Sequence, residues 1–196
     1  MDYIKHIKKE IEDSISVKTL VLSKCIEDIS RAAEILVRAI RKDKKIYLCG
    51  NGGSASDSQH IACELIGRLR KKPISIPAIS LATNIPTLTA LANDFGYDKV
   101  FSKQLEVYAN SGDVLIALST SGKSANVLNT LRIARKLKMR IIAMTGKEKT
   151  RLSNTADISI RVPSNDTPRI QEAHIMIGHI LASILEKKAN RDGKKK

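Results

Sequence analysis

Residues 2–41 place apolar side chains three and four positions apart, which is the spacing of one face of an α-helix. This pattern predicts two long amphipathic helices, within residues 2–43, at the start of the chain. No predicted strand precedes them, so they have no sheet of their own to cover. We therefore expect a helical hairpin that also contacts another subunit. The clearest run is formed by Ile26, Ile29, Ala33, Leu36, Val37 and Ile40.

From residue 45 onward, short apolar runs alternate with amphipathic stretches. Such alternation predicts an α/β fold: a single doubly wound domain with a five-stranded parallel sheet flanked by helices. The expected strands are 46–49, 76–82, 114–118, 141–144 and 158–162. The expected helices are 54–69, 86–109, 124–137, 150–156 and 168–188.

Composition agrees with one α/β domain. The chain has 196 residues, of which 42% are hydrophobic and only 3% aromatic, and it contains no tryptophan. Its core must be built from Ile, Leu, Val and Ala, as in helix-flanked parallel sheets. We expect the domain to span residues 1–188 and the basic residues 189–196 to form a tail outside it.

The formal net charge of +14 brings nucleic acid into consideration as a partner. However, residues 187–196 hold six basic side chains and one acidic one. A solvated tail explains them better than an arm that binds RNA or membrane. We do not expect nucleic acid as a partner, and the remaining positive charge suits an anionic small molecule.

The sequence also suggests a cellular location. Nothing approaches the roughly 18 consecutive apolar residues of a membrane span, and residues 1–5 lack the apolar stretch of a signal peptide. Cys25, Cys49 and Cys63 lie in apolar contexts without C-x-x-C spacing, which is typical of buried, reduced thiols. We therefore expect a cytoplasmic protein with no membrane partner.

Two glycine- and hydroxyl-rich segments follow predicted strands. The sequence GNGGSAS at 50–56 follows the first strand, and STSGKS at 119–124 follows the third. Ligands of doubly wound sheets bind outside the carboxyl ends of the strands, where helix N-termini offer free N–H groups. The second segment, with four hydroxyls around a glycine, is a candidate cradle for a phosphate monoester. Serine also caps helices without any ligand, but two such loops at one end of a sheet favour a binding site.

Two nucleotide-binding motifs are matched only in part. Residues 50–55 fit the dinucleotide pattern G-x-G-x-x-A, but the second strand ends at Asn84 without the carboxylate that would bind a ribose. Residues 122–124 end like a phosphate-binding P-loop, but Ala117 stands where the first glycine should be. We therefore expect no nucleotide cofactor.

Candidate chemistry lies on two predicted helices. His60, Glu64 and Arg68 are spaced at four residues and share a face of the helix after the first loop. Taken alone, a pair four residues apart, such as His60 and Glu64, is more often a surface interaction than a catalytic or metal site. Gln171 and His179 in the last helix fall within about 80° of each other on a helical wheel, whereas His174 points elsewhere and is interpreted as structural.

If the two helices meet, His60, Glu64, Gln171 and His179 would form a nitrogen and oxygen donor set suited to zinc or a similar divalent ion. The same groups would supply a carboxylate base and an imidazole acid. That pair is what an isomerase needs to move a proton between adjacent carbons of a sugar through an enediol.

The chain resembles the sugar isomerase (SIS) domain family over nearly its whole length, and within it the isomerases of seven-carbon sugar phosphates. The motifs that carry the resemblance are GNGGSA at 50–55, DSQH at 57–60, EL at 64–65, ANDFGY at 92–97, FSKQ at 101–104, GDVL at 112–115, STSG at 119–122 and RIQEAH at 169–174. The resemblance implies conversion of sedoheptulose 7-phosphate to glycero-manno-heptose 7-phosphate. It also implies a homotetramer whose sites use more than one subunit.

The resemblance also implies roles for individual residues. Glu64 would be the catalytic base and His179 its acid partner. Relatives that carry zinc hold it with the residues that match His60, Glu64, Gln171 and His179. Phosphate would be bound by Ser119, Thr120, Ser121 and Ser124. The open-chain sugar would be contacted by Asn51, Gly52, Gly53, Ser54, Glu64, Arg68, Asn93, Asp94 and Gln171.

One departure and one rival hypothesis remain. Many relatives have Asn where this chain has Lys123, which could contact the phosphate or point to solvent. The same fold also resembles non-catalytic proteins, including one that binds the bacterial replication initiator and the sugar-phosphate sensors of transcription regulators. Such proteins would not need Glu64, Gln171 and His179 together, so the sequence favours an enzyme.

Overall fold

The computed structural model describes residues 2–67, 69 and 75–192. Their helices are α1 (Tyr3–Lys24), α2 (Ile26–Ile40), α3 (Gly53–Ile66), α4 (Ile85–Phe95), α5 (Val100–Tyr108), α6 (Ala125–Lys136), α7 (Arg151–Thr155) and α8 (Thr167–Asp192), with a 3₁₀ turn at Tyr97–Lys99. Their strands are β1 (Ile46–Cys49), β2 (Ala78–Ser80), β3 (Val114–Ser119), β4 (Arg140–Thr145) and β5 (Ile158–Arg161).

All five strands pair in parallel, in the order β2-β1-β3-β4-β5. The predicted α/β fold is therefore confirmed. Strand order reverses between β1 and β3, so the loops that follow these two strands leave the same edge of the sheet next to each other. This switch point is where open α/β sheets bind ligands.

Alternate side chains of the strands enter two separate cores, as the two-residue period of a strand requires. Ile46, Leu48 and Ile116 pack on one face with α1, α2, α3 and α8. Tyr47, Leu115 and Ala117 pack on the other face with α5, α6 and α7. Both faces are covered, which explains the continuous apolar runs of the strands.

The N-terminal helices are present as predicted, but no reversing loop joins them. Only Cys25 lies between them, its backbone stays in the right-handed helical region, and its N–H bonds the carbonyl of Val21. The Cys25 thiol lies 3.3 Å from the carbonyl oxygen of Arg161, on the strand β5. The junction of α1 and α2 is therefore fixed against the sheet. Cys49 is buried like Cys25, as expected, but Cys63 is exposed on α3, so the expectation of a buried thiol is wrong there.

The predicted helix at 86–109 is in fact two helices. Gly96 follows α4 with a φ of 89°, a left-handed conformation that glycine adopts at little cost and that stops a helix. A 3₁₀ turn then leads into α5. The break takes Tyr97 out of α4, and its hydroxyl reaches Asn51 in the loop after β1.

Candidate active site

Helices α3 and α8 meet, which the sequence left open. Gly178 allows the close approach, because a Cβ atom there would lie only 2.5 Å from Cγ1 of Ile61. Ile61 follows His60 and Gly178 precedes His179, so the contact of the two helices brings these histidines together. A side chain at position 178 would force the helices apart.

The resulting cluster joins three of the four predicted metal ligands. Nε2 of His60 lies 3.3 Å from Nε2 of His179 and 3.3 Å from Oε1 of Glu64. The three ligand atoms all lie within 4.8 Å of one another. Zinc bound at 2.0–2.1 Å by tetrahedral ligands has neighbouring ligand atoms about 3.3 Å apart. The two 3.3 Å separations match this value, and the donor types suit a divalent metal ion.

Gln171, the fourth predicted ligand, lies against the first turn of α3. A Cβ atom on Gly53 would stand 2.5 Å from Nε2 of Gln171, so the amide of α8 reaches the end of the first loop. Glycine at position 53 is what makes room for it. The first loop and the start of α8 are thus in contact, with Gln171 between them.

Exposure differs within the cluster. The side chain of His60 is 50% exposed and that of Glu64 is 19% exposed. A cavity of about 930 Å³ opens beside His179 between α1 and α8, and Glu172, Met176 and Lys18 also line it. Glu64 is therefore the more shielded group, while one side of the cluster is open to a ligand.

Asp57 is a partly buried acid to which the sequence assigned no role. It lies one turn before His60 on α3, and its Oδ2 atom is buried without a hydrogen-bond partner in the described part of the chain. Burial raises the pKa of this carboxyl to about 6, against the lowering effect of His60. The sequence signal was the spacing of three residues between Asp57 and His60, which places both on one helix face.

The second loop has the form expected of an anion cradle. Oγ of Ser119 accepts the N–H of Gly122 at 3.1 Å and shares a 3.1 Å hydrogen bond with Oγ of Ser124. Ser124 precedes α6 without a side-chain cap, so the first turn of that helix keeps N–H groups for a ligand. The carbonyl of Thr120 accepts the N–H of Gly146, which ties the loop to the end of β4.

Lys123 borders this loop. A cavity of about 200 Å³ beside it is lined by Thr120, Ser121, Lys123 and Lys147, together with Gly146, Glu148, Asn165, Thr167 and Ile170. The two lysines at this cavity are accompanied by one acid, Glu148, so its net charge suits an anion. Contact of Lys123 with the phosphate stays a prediction.

The first loop is tied to its surroundings through Asn51. The amides of Asn51 and Asn126 exchange two hydrogen bonds, of 2.9 and 2.8 Å. The Tyr97 hydroxyl donates to Oδ1 of Asn51 at 3.0 Å. Asn126 and Tyr97 were not predicted as site residues, since a helical Asn and an exposed Tyr carry no signal of their own in one sequence.

The other predicted residues are not part of the histidine and carboxylate cluster. Asn93 and Asp94 are exposed at the end of α4 and bond each other, with Nδ2 donating to Oδ1 at 2.9 Å. Ser54 is buried in the first turn of α3. Arg68 lies outside the described residues. His174 is fully buried in α8, away from the cluster, as its structural interpretation requires.

A doubly wound sheet with two anion-type loops and a carboxylate–imidazole cluster at its switch point defines a sugar-phosphate isomerase. Comparison with known proteins is consistent with this class. The model of the SIS domain family matches residues 11–146. Phosphoheptose isomerase from a Nitratiruptor species is 46% identical over 183 residues, covering 93% of this chain and 98% of that protein. The enzyme from Sulfurimonas denitrificans is 44% identical over 191 residues, covering 96% and 98%.

A solved structure gives the same result. Phosphoheptose isomerase from Neisseria gonorrhoeae superposes with a TM-score of 0.90 at 36% identity, covering 94% of this chain and 99% of that one. The chain belongs to the SIS domain family and, within it, to the phosphoheptose isomerases. These relatives are named as enzymes and give no support to the regulator hypothesis.

Proposed function

We propose that this chain interconverts sedoheptulose 7-phosphate and D-glycero-D-manno-heptose 7-phosphate, and so supplies heptose precursors for lipopolysaccharide or capsule. The observation that carries the proposal is the cluster of His60, Glu64 and His179, at a sheet that also carries a serine-rich loop suited to an anion. The names of the relatives point to the same substrate class.

The reaction moves one proton between C1 and C2 and another between the two oxygens, through an enediol. Glu64 is the group we assign to the carbon-bound proton. Its carboxylate is mostly shielded from water, with 19% of the side chain exposed, so a proton that it removes can be returned to the neighbouring carbon. A glutamine at this position would keep the size of the side chain and lose the base.

His179 is the group we assign to the oxygen-bound proton. Its Nε2 atom faces the cluster, where a carbonyl oxygen of the open-chain sugar would meet it. A neutral enediol forms only if the developing oxyanion receives a proton as the carbon loses one. The imidazole supplies this proton to the C2 oxygen and takes one from the C1 oxygen in the second half of the reaction.

The substrate spans the sheet edge in this proposal. Ser119, Thr120, Ser121 and Ser124 hold the phosphate at the start of α6, where the helix dipole favours negative charge. The sugar chain extends from there toward α8. Its proposed contacts are Asn51, Gly52, Gly53, Ser54, Arg68, Asn93, Asp94 and Gln171.

A zinc ion is also part of the proposal, held by His60, Glu64, Gln171 and His179. The 3.3 Å separations within the cluster support it. When bound, zinc would supply positive charge for the developing oxyanion. Since Nε2 of His179 is the atom that faces the cluster, it can serve as a ligand or carry a proton, but not both at once.

Assembly as a homotetramer is proposed from the outer face of α1. Ile4, Ile7, Ile11 and Ile15 form a stripe along one side of that helix, and each is more than half exposed. A stripe of this kind on a monomer favours burial against another copy.

No helix among the described residues could span a membrane. We further propose a cytoplasmic location and one domain over residues 1–188.

Turnover of sedoheptulose 7-phosphate in D₂O tests the proposed function. The aldose 7-phosphate should form. Over repeated turnovers it should gain deuterium at C2, because the proton held by Glu64 exchanges with solvent during part of the enediol lifetimes. Mass spectrometry of the product at equilibrium measures this. Absence of the aldose product would overturn the proposed function, and product still free of deuterium after prolonged equilibration would contradict the enediol route in favour of a direct hydride shift.

A further inference from the structure

Three segments at the sheet edge meet at the side chain of Asn51. Asn51 lies in the loop after β1, Asn126 lies in the first turn of α6, and Tyr97 opens the 3₁₀ turn after α4. Asn51 and Asn126 exchange hydrogen bonds of 2.9 and 2.8 Å, and Tyr97 donates at 3.0 Å. We call the loop at 50–56 the sugar loop and the loop at 119–124, which leads into α6, the phosphate loop. The sugar loop, the helix start after the phosphate loop and the α4–α5 connection are therefore joined at one point.

Hydrogen-bond chemistry fixes the orientation of both amides. Oδ1 of Asn126 accepts the backbone N–H of Val127 at 2.9 Å, and a backbone N–H is only a donor. Oδ1 of Asn126 must therefore be the atom next to the Val127 N–H, and Nδ2 must be the atom that donates to Oδ1 of Asn51. The amide of Asn51 then has to place its own Nδ2 toward Oδ1 of Asn126. Asn126 is 3% exposed, so water cannot replace these partners.

The donors and acceptors of Asn51 are nearly all used. Its Oδ1 has two lone pairs, and these accept from Nδ2 of Asn126 and from the Tyr97 hydroxyl. Its Nδ2 keeps one hydrogen after donating to Asn126. The side chain can thus give a ligand one hydrogen bond and accept none, which is little for a residue predicted to hold a polyhydroxyl chain.

We propose that Asn126 and Tyr97 are positioning residues that act through Asn51 and set the separation of the sugar loop from the phosphate loop. We call these three residues the Asn51 clamp. The inference rests on the proposed function, since it takes the two loops to hold opposite ends of one sugar phosphate. The side chain of Asn51 works mainly as the centre of the clamp.

The clamp should affect substrate binding more than the chemical step. A substrate that bridges two loops binds best when their separation is already correct, because no ordering cost is then incurred on binding. His60, Glu64 and His179 take no part in the clamp hydrogen bonds. Loosening the clamp therefore raises KM by about tenfold and changes kcat by less than about threefold.

A double-mutant cycle tests this. Asn51→Ala and Asn126→Ala should each raise KM about tenfold. The KM of the double variant should exceed that of the worse single variant by no more than about twofold, because both single changes break the same interaction. A double variant at about one hundredfold would show independent roles and would overturn the clamp.

Tyr97→Phe keeps the test usable if Asn126→Ala fails to fold. Tyr97 is 61% exposed and the change removes one hydroxyl, so folding should be retained. We expect KM to rise about threefold. Tyr108→Phe is the matched control, since this tyrosine is 45% exposed and its hydroxyl makes no hydrogen bond among the described residues. Equal KM values in the two variants would contradict a role for Tyr97.

Backbone hydrogen exchange without substrate separates the clamp from the proposed function. Residues 50–54 should exchange at least about threefold faster in Asn126→Ala and Tyr97→Phe than in wild type or Tyr108→Phe. Unchanged exchange would overturn the clamp even in an active enzyme. Faster exchange in a protein that does not turn over sedoheptulose 7-phosphate would uphold the clamp and reject only the proposed reaction.

Discussion

At the scale of single residues, the proposed chemistry depends on three side chains that two helices bring together. His60 and Glu64 lie on one face of α3, because a helix repeats every 3.6 residues. They meet His179 because Gly178 of α8 packs closely against Ile61. The roles of these three side chains can be tested one at a time.

The two roles proposed for His179 can be separated by comparison with His60, which is proposed only as a ligand. His60→Ala and His179→Ala should each lower bound zinc at least about tenfold. His179→Ala should lower kcat further, by about 100-fold beyond His60→Ala, because it also removes the acid. Zinc analysis and steady-state kinetics measure both effects.

The exposed His6 on α1 provides the control, and His6→Ala should behave as wild type. Equal losses of kcat in His60→Ala and His179→Ala would show that His179 acts only through the metal.

Burial of His174 predicts a loss of stability in acid. Burial lowers the pKa of its imidazole to about 4, opposed by the hydrogen bond with Thr145. The unfolded chain takes up this proton near pH 6.5 and the folded chain only near pH 4, so stability falls over that interval by on the order of 3 kcal/mol. Urea unfolding at pH 7 and pH 4 measures the loss.

His174→Gln should remove that share of the pH dependence, while His6→Gln should retain it. Asp57 acts in the opposite direction, because its raised pKa lets the folded state bind a proton first as the pH falls from about 6. Asp57 contributes equally to the pH dependence of wild type, His174→Gln and His6→Gln, so the difference between these proteins reports His174 alone. An identical pH dependence in wild type and His174→Gln would contradict the assignment to His174.

At the scale of elements, the strands and helices followed from periodicity, and the differences have physical causes. Strand β2 is shorter than its apolar run, since only Ala78–Ser80 pairs with β1 at the edge of the sheet. The helix predicted at 86–109 is broken by the positive φ of Gly96. Helix α8 extends to Asp192, because its lysine-rich end contains no helix-breaking residue before Gly193.

Helix α1 presents an apolar stripe that tests the proposed assembly. Ile7→Glu combined with Ile11→Glu would place two charges on the buried contact and should convert the oligomer into monomers, because an unpaired buried charge is costly. Ser16→Glu, about 135° around the helix from the stripe, is the control and should leave assembly unchanged. Light scattering on the eluting peak measures the mass, and an unchanged mass in the double variant would refute this interface.

At the scale of the whole molecule, the order β2-β1-β3-β4-β5 explains why the site lies where it does. The reversal between β1 and β3 brings the loops at 50–54 and 119–124 together, and α8 closes the edge with Gln171 and His179. The sequence predicted these parts because each follows a strand or repeats along a helix. It could not predict their joint geometry, which depends on long-range packing between α3, α6 and α8.

The rate of sedoheptulose 7-phosphate turnover by wild type and Glu64→Gln, measured side by side, tests the central claim most directly. Wild type should form the aldose 7-phosphate, and Glu64→Gln should lose at least about 100-fold in kcat with its melting temperature retained. Glu34→Gln, an exposed change on α2, should match wild type. Full activity in Glu64→Gln, or none in wild type, would contradict the account.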